Sequence, residues 1–167
     1  SARTAFGLIP GARMNDVSAY NRAAWDRLAR RSNAWTVPVS DEQIAAARKG
    51  DWSVVLTPEK PVPRTWFGYI SGLRVLGLAC GGGQQGPVLA AAGARVTVID
   101  NSPEQLARDS ALAEKHALEL KTELGLMQDL SRFRDGAFDL VFNPVSNCFV
   151  EDIQPVWNEA FRVLAPG

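Results

Sequence analysis

Apolar side chains recur at helical spacing in some stretches of the chain and form short unbroken runs in others. Val17, Tyr20, Ala24 and Leu28 mark one face of a helix over Asp16–Arg31, capped by Asn15 or Asp16. Arg27, Arg30 and Arg31 gather at its end, where positive charge suits the helix dipole. A second short helix spans Ser40–Lys49, capped by Ser40 and stopped by Gly50. Asp51–Arg74 is irregular, with Pro58, Pro61 and Pro63 and a Trp66-Phe67 pair, and reads as a linker packed on something else. Leu73–Ala79, Arg95–Asp100, Leu120–Met127 and Ala137–Phe142 are strand runs. Between them lie a small-residue helix, Pro87–Ala92, ended by Gly93, and a helix running from Ser102 to about Leu118. Ser102-Pro103-Glu104-Gln105 opens the latter with a capping box and a proline at the first helical position. Ile153, Val156, Trp157, Ala160, Phe161 and Leu164 trace the apolar face of a helix over Glu151–Leu164, with Pro155 in its first turn.

Strands alternating with helices, most of the strands apolar on both faces, predict an α/β fold: a Rossmann-like parallel sheet with helices on both sides. At 167 residues there is room for one domain, or one with a cap. We divide it into a tag-like or disordered leader (1–13), an N-terminal helical cap and linker (14–72) and the core (73–167). A hydrophobic content of 46% argues against disorder. Eighteen basic residues balance eighteen acidic ones, which excludes a whole-protein field drawing in nucleic acid or anionic membrane. No run approaches the ~18 apolar residues of a membrane span. Cys80 and Cys148 form no C-x-x-C pair and read as small, buried, reduced thiols of a cytoplasmic protein. No metal is expected.

The chemistry gathers in Cys80-Gly81-Gly82-Gly83-Gln84-Gln85-Gly86, between the first core strand and its helix. Glycines there let the backbone turn sharply and a ligand approach closely, and the loop lies at the carboxyl end of a parallel strand, where open α/β sheets bind ligands. Asp100 ends the next strand, at the ~20-residue spacing that places a carboxylate on ribose hydroxyls. Gly81-x-Gly83-x-x-Gly86 satisfies the dinucleotide pattern, so NAD and S-adenosylmethionine both fit the loop; a Walker A loop is excluded, since no G-K-[ST] follows. His116 falls inside a helix, away from the loop ends.

Val75–Gly83 resembles motif I of class I S-adenosylmethionine-dependent methyltransferases. Val98–Leu106 is similar to the segment that follows it, Leu126–Leu130 to the adenine-side loop, Phe138–Pro144 to motif IV, and Phe161–Gly167 to the R-x-L-x-P-G after the next helix. The resemblance covers Leu73–Gly167. It implies a methyl transfer to a small-molecule acceptor with S-adenosylmethionine as cofactor. Ala79, Cys80, Gly81, Gly82 and Gly83 would line its methionine and ribose, Asp100 would hold the ribose, and Asn101 would lie beside the adenine. Met127, Gln128 and Asp129 would meet the adenine, and Asn143 would sit at the methionine end. Three positions depart from the family: Gly77 replaces an acidic residue, Ala79 a glycine and Leu126 an aspartate. Tyr20, Trp25 and Trp35 are the cap residues expected nearest the site. The resemblance also implies strand order 3-2-1-4, four strands of the family's seven, leaving Phe138–Phe142 as an apolar edge, so either the natural protein is longer or another chain, a homodimer mate or a partner, covers it. A non-catalytic nucleoside-binding or assembly module and an NAD-dependent oxidoreductase are the competing readings.

Overall fold

The computed structural model describes residues 14–56 and 60–167; the expectations for Ser1–Arg13 and Pro58 fall outside them. The elements are α1 (Met14–Arg30), α2 (Asp41–Arg48), β1 (Arg74–Leu78), α3 (Gln85–Ala91), β2 (Arg95–Asp100), α4 (Pro103–His116), β3 (Leu120–Leu124), β4 (Leu140–Phe142) and α5 (Gln154–Val163). Short 3-10 turns lie at Ala34–Thr36, Arg64–Trp66 and Ser146–Phe149. Asn15 and Asp16 lie within α1, so neither caps it.

The sheet is parallel throughout, in the order β3-β2-β1-β4. Alternate residues of its central strands feed two cores, because successive side chains of a strand point to opposite faces. Val75, Val96 and Val98 pack with α2, α3 and the linker's Trp52 and Phe67. Leu76, Leu78 and Ile99 pack with Val156, Ala160 and Val163 of α5. Trp52 and Phe67 meet edge-on, and Phe67 also faces Phe142, so the proline-rich linker is part of the first core.

The α5 stripe is narrower than its sequence suggests: Trp157 and Phe161 are 52% and 82% exposed. They fall on the flank of the face that Val156, Ala160 and Val163 bury. Two strands are also shorter than expected. β3 stops at Leu124, and the bond from the Gly125 N–H to the Asp100 carbonyl at 3.0 Å is the last rung it makes with β2. β4 begins only at Leu140; ahead of it Phe138 makes a bridge to Leu164, donating to the Val163 carbonyl and accepting from the Ala165 N–H. The chain thus covers the lower part of its own β4 edge.

Ser40 caps α2 with a complete box, its hydroxyl accepting from Gln43 N–H while the Gln43 side chain returns to Ser40 N–H. At α4 only half of the expected box forms. Ser102 Oγ accepts from Gln105 N–H, but the Ser102 N–H donates to Asp100 Oδ1 at 2.8 Å instead of to Gln105.

Arg74 and Asp139 fasten the lower ends of β1 and β4, Asp139 Oδ2 accepting from Arg74 N (2.8 Å) and Nε (3.0 Å). The Arg74 guanidinium holds the Asp139 carboxyl at about 2, below its ordinary 3.8. This contribution is present above pH 3.8 and is lost as pH falls through about 2. Asp139→Asn should therefore cost about 1 kcal/mol at neutral pH, given the partial solvent exposure of the pair. Urea melts across the acid range should show a flatter limb for the variant than for the parent between those two values.

Candidate functional site

The loops leaving β1, β2, β3 and β4 open together on a cavity of about 340 Å³. Of the residues singled out from sequence, Ala79, Cys80, Gly81, Asp100, Asn101, Met127, Gln128, Trp25 and Trp35 line it. Parallel register does this: pairing Leu78 with Ile99 brings the end of β1 beside the end of β2 and sets Gly81 against Asp100. Gly81 N–H donates to Asp100 Oδ2 at 3.0 Å. A Cβ at Gly81 would come within 2.9 Å of the Gln105 side chain and 3.1 Å of Asp100 Oδ2, so only glycine allows this approach.

Burial pushes the Asp100 carboxyl up from its ordinary value, and the Ser102 and Gly81 N–H groups oppose that shift. Each carboxylate oxygen accepts one of these bonds and keeps a lone pair for a further donor. Cys80 is buried, and its thiol is pushed far up by burial first and the nearby Asp109 and Asp100 charges second. It is a neutral wall, not a nucleophile.

Five expected residues stand away from the cavity. Gly82 and Gly83 lie against the Trp35 carbonyl and Pro38, covered by the segment after α1. Asp129 turns back to Ser131, accepting from its N–H at 3.2 Å and its hydroxyl at 2.7 Å. Asn143 donates to Asn147 Oδ1 at 2.6 Å and accepts from Ser146 Oγ; Ser146 lines the cavity in its place. Tyr20 is 44% exposed. Cys148, expected buried, is exposed, held by its own 3-10 turn through a bond to the Val145 carbonyl at 3.3 Å. His116 Nε2 lies 2.8 Å from Asp41 Oδ1, at the far end of α4.

Sequence reasoning missed Arg22, Gln105, Phe149 and Val150 in the wall. Gln105 looked like half of a capping box, and Phe149 sits in a turn without periodicity. The cap is sewn down by polar contacts. Arg22 Nε donates to Asn101 Oδ1 (3.0 Å), Asn101 Nδ2 to the Ser18 carbonyl (2.7 Å), and Arg30 pairs with Glu104 (2.8 Å). Across the cavity Trp25 meets Phe149 edge-on at 5.5 Å, and Asn21 donates to the Phe149 carbonyl.

A methyltransferase-domain family profile matches residues 76–167. The fold and this match define the class: the chain belongs to the methyltransferase domain family, of the class I S-adenosylmethionine-dependent type. It is 54% identical over 151 residues to the uncharacterized methyltransferase YbaJ of Bacillus subtilis, covering 90% of this chain and 59% of that one. It is 32% identical over 136 residues to an uncharacterized protein of Mycobacterium tuberculosis, covering 76% of this chain and 49% of that one. The chain thus spans about half to three-fifths of these relatives. Among solved structures, an arsenic(III) S-adenosylmethionine methyltransferase from Chlamydomonas reinhardtii superposes with a TM-score of 0.60 at 29% identity, over 75% of this chain and 45% of its own. A phosphoethanolamine N-methyltransferase from Haemonchus contortus superposes at 0.66 over 92% of this chain and 31% of its own; at 16% identity it speaks for the fold alone.

S-adenosylmethionine is the cofactor of this class, and the wall suits it. Asp100 offers acceptors for vicinal hydroxyls, the cavity is within the size range of small-molecule sites, and the buried Gln105 Oε1 lacks a donor among the described residues.

Two wall residues that are not glycine have left-handed backbones, Ala79 (φ +46°) and Val145 (φ +55°). The alanine that stands where the resembling family has glycine thus carries a backbone cost at position 79. Ala79→Gly should raise stability by about 0.5–1 kcal/mol, since glycine takes this conformation without steric cost. Thermal melts of the two proteins check this.

Proposed function

We propose that this chain is the cofactor-binding part of a methyltransferase acting on a small-molecule acceptor. The observation that supports this most is Asp100: a buried carboxylate at the cavity wall, braced by Gly81 and Ser102, with lone pairs to spare. It would take the ribose hydroxyls. Asn101 would flank the adenine, and Met127 and Gln128 would offer it backbone groups. Ala79, Cys80 and Gly81 would lie along the methionine part. When bound, S-adenosylmethionine supplies a methyl group already activated by its sulfonium. The protein's own share is alignment and exclusion of water, for which Trp25, Phe149 and Val150 provide an apolar wall.

The oxidoreductase reading needs a pyrophosphate at the glycine loop and the start of α3. That approach is covered. Gln84 Nε2 donates to the Val37 carbonyl at 2.9 Å, and Val39 N–H donates to the Gly83 carbonyl at 2.8 Å. The third glycine, Gly86, serves packing: a Cβ there would stand 2.7 Å from Val98 Cγ2.

Titration calorimetry with S-adenosylhomocysteine, S-adenosylmethionine and NAD tests the reading. Binding of the first two and none of NAD is expected, and the reverse would overturn it. Asp100→Ala should weaken adenosyl binding by about 1.5–3 kcal/mol, as expected for a charged acceptor; unchanged affinity would move the site elsewhere.

Among the described residues no helix is long and apolar enough to cross a membrane. We further propose a cytoplasmic location, which suits two unpaired cysteines. Homodimerisation through β4 would have to use Leu140–Phe142, since Phe138 already bonds within its own chain.

A further inference from the structure

Beneath the glycine loop, on the face of α4 away from solvent, two acceptor oxygens one helical turn apart have no donor among the described residues: Gln105 Oε1 and Asp109 Oδ1. Both side chains are buried, Asp109 completely. The other Asp109 oxygen, Oδ2, accepts from Gly82 N–H at 2.9 Å. Consecutive N–H groups of the loop therefore end on two different buried carboxyl groups, Gly81 on Asp100 from β2 and Gly82 on Asp109 from α4.

We propose that Asp109 is a positioning residue for the cofactor loop, fixing Gly82 through one carboxyl oxygen while the other carries a proton. The inference deepens the adenosyl-binding reading above and rests on it for the loop's purpose. Gly82 does not line the cavity, so Asp109 acts through the loop and not on the ligand. Its bond sets the turn between Gly81, which lines the cavity, and Gly83 (φ +77°), which packs on Pro38.

The proton follows from the surroundings. The charged group that faces Asp109 from β2 is the Asp100 carboxyl, and the loop offers the Cys80 thiol. On its own helix, Arg108 turns away and donates to the Thr36 and Ala29 carbonyls. α3, whose Gly86 lies against Asp109 Oδ1, carries no titratable side chain. Of the charged groups on α1, Arg22 is held by Asn101, Asp26 by Ser102 and Arg30 by Glu104, while Arg27 is exposed. On β3, Lys121 is exposed and Glu123 pairs with Arg132. No cation among these reaches Asp109, so two buried carboxylates would face each other unneutralised, and one keeps its proton. A protonated Asp109 turns the partnerless Oδ1 into a donor. Burial, the largest cause, pushes its carboxyl from 3.8 up to about 7; the Gly82 and Gly83 N–H groups oppose that shift and the Asp100 charge adds to it. Because the folded value lies above the ordinary one, the stability linked to this proton is full below pH 3.8 and is lost as pH rises through about 7.

The test uses the whole chain. The Gly82 amide signal, followed by NMR, should titrate with a midpoint at about 7 in the parent and stay flat in Asp109→Asn, which keeps an acceptor and adds a neutral donor. The thermal midpoint of the parent should fall between pH 4 and 7, and that of the variant should not follow it. Asp109→Leu, which offers no acceptor, should speed exchange of the Gly82 amide and weaken S-adenosylhomocysteine binding about tenfold, while Asp109→Asn stays within about threefold of the parent. A Gly82 signal insensitive to pH in the parent, or one that titrates equally in Asp109→Asn, would overturn the proposal; so would full protection and affinity in Asp109→Leu. Should Asp109→Leu fail to fold, the comparison of parent with Asp109→Asn decides alone. If the parent binds no S-adenosylhomocysteine, the adenosyl reading fails, and the Gly82 titration still decides the role of Asp109.

Discussion

The hydrogen bond from the Gly81 N–H to Asp100 Oδ2 couples everything that surrounds the cavity. It ties the loop after β1 to the last residue of β2, and it forms only because the two strands run parallel in the register Leu78↔Ile99. The same carboxylate takes the Ser102 N–H and so fixes the start of α4. One side chain therefore sets the relation of loop, sheet and helix. Burying it is costly, and the N–H groups around it offset that cost. The bracing is complete within the chain itself.

The cap obeys a different physics. α1 lies over the cavity with one buried side chain among its described residues, Ala29, and is fastened by hydrogen bonds to the segment where β2 becomes α4. Arg108 adds to this from α4 by binding the Thr36 and Ala29 carbonyls, the ones the end of α1 and its following turn present. Polar seams of this kind are individually modest in net worth and specific in geometry. They place Trp25 and Trp35 on the cavity without committing the cap to the hydrophobic core that holds the sheet.

Much of this was legible in the chain. The apolar runs located all four strands, and the glycine loop followed by Asp100 located the cavity, because both signals are local and repeat a backbone requirement. What the pattern does not carry is which partner a polar side chain takes and how much surface a helix finds to cover. Asn143 matches a motif position, and Ser146 and Asn147 hold its amide within the turn after β4. Gln105 fitted a capping box, yet Asp100 had already taken the Ser102 N–H. Trp157 and Phe161 fitted helical periodicity, but a stripe drawn from six positions is wider than the surface that one sheet face can cover. Asp109 carried no signal at all: an aspartate in a helix reads as solvated until the loop it supports is seen above it.

One departure from the pattern of the resembling family has a packing reason. Where that pattern expects an acid in the first strand, this chain has Gly77, and a Cβ there would overlap the Cys80 sulfur. Side chain 77 and Cys80 compete for one space, and Cys80 fills it. No carboxylate can then reach the loop from β1. The loop's N–H groups still need acceptors, since a buried amide without one costs more than a bond gains. They find them in Asp100, at the end of β2, and in Asp109, rising from α4 on the other side of Val98. The loop is thus held by carboxyl groups of the next strand and its helix.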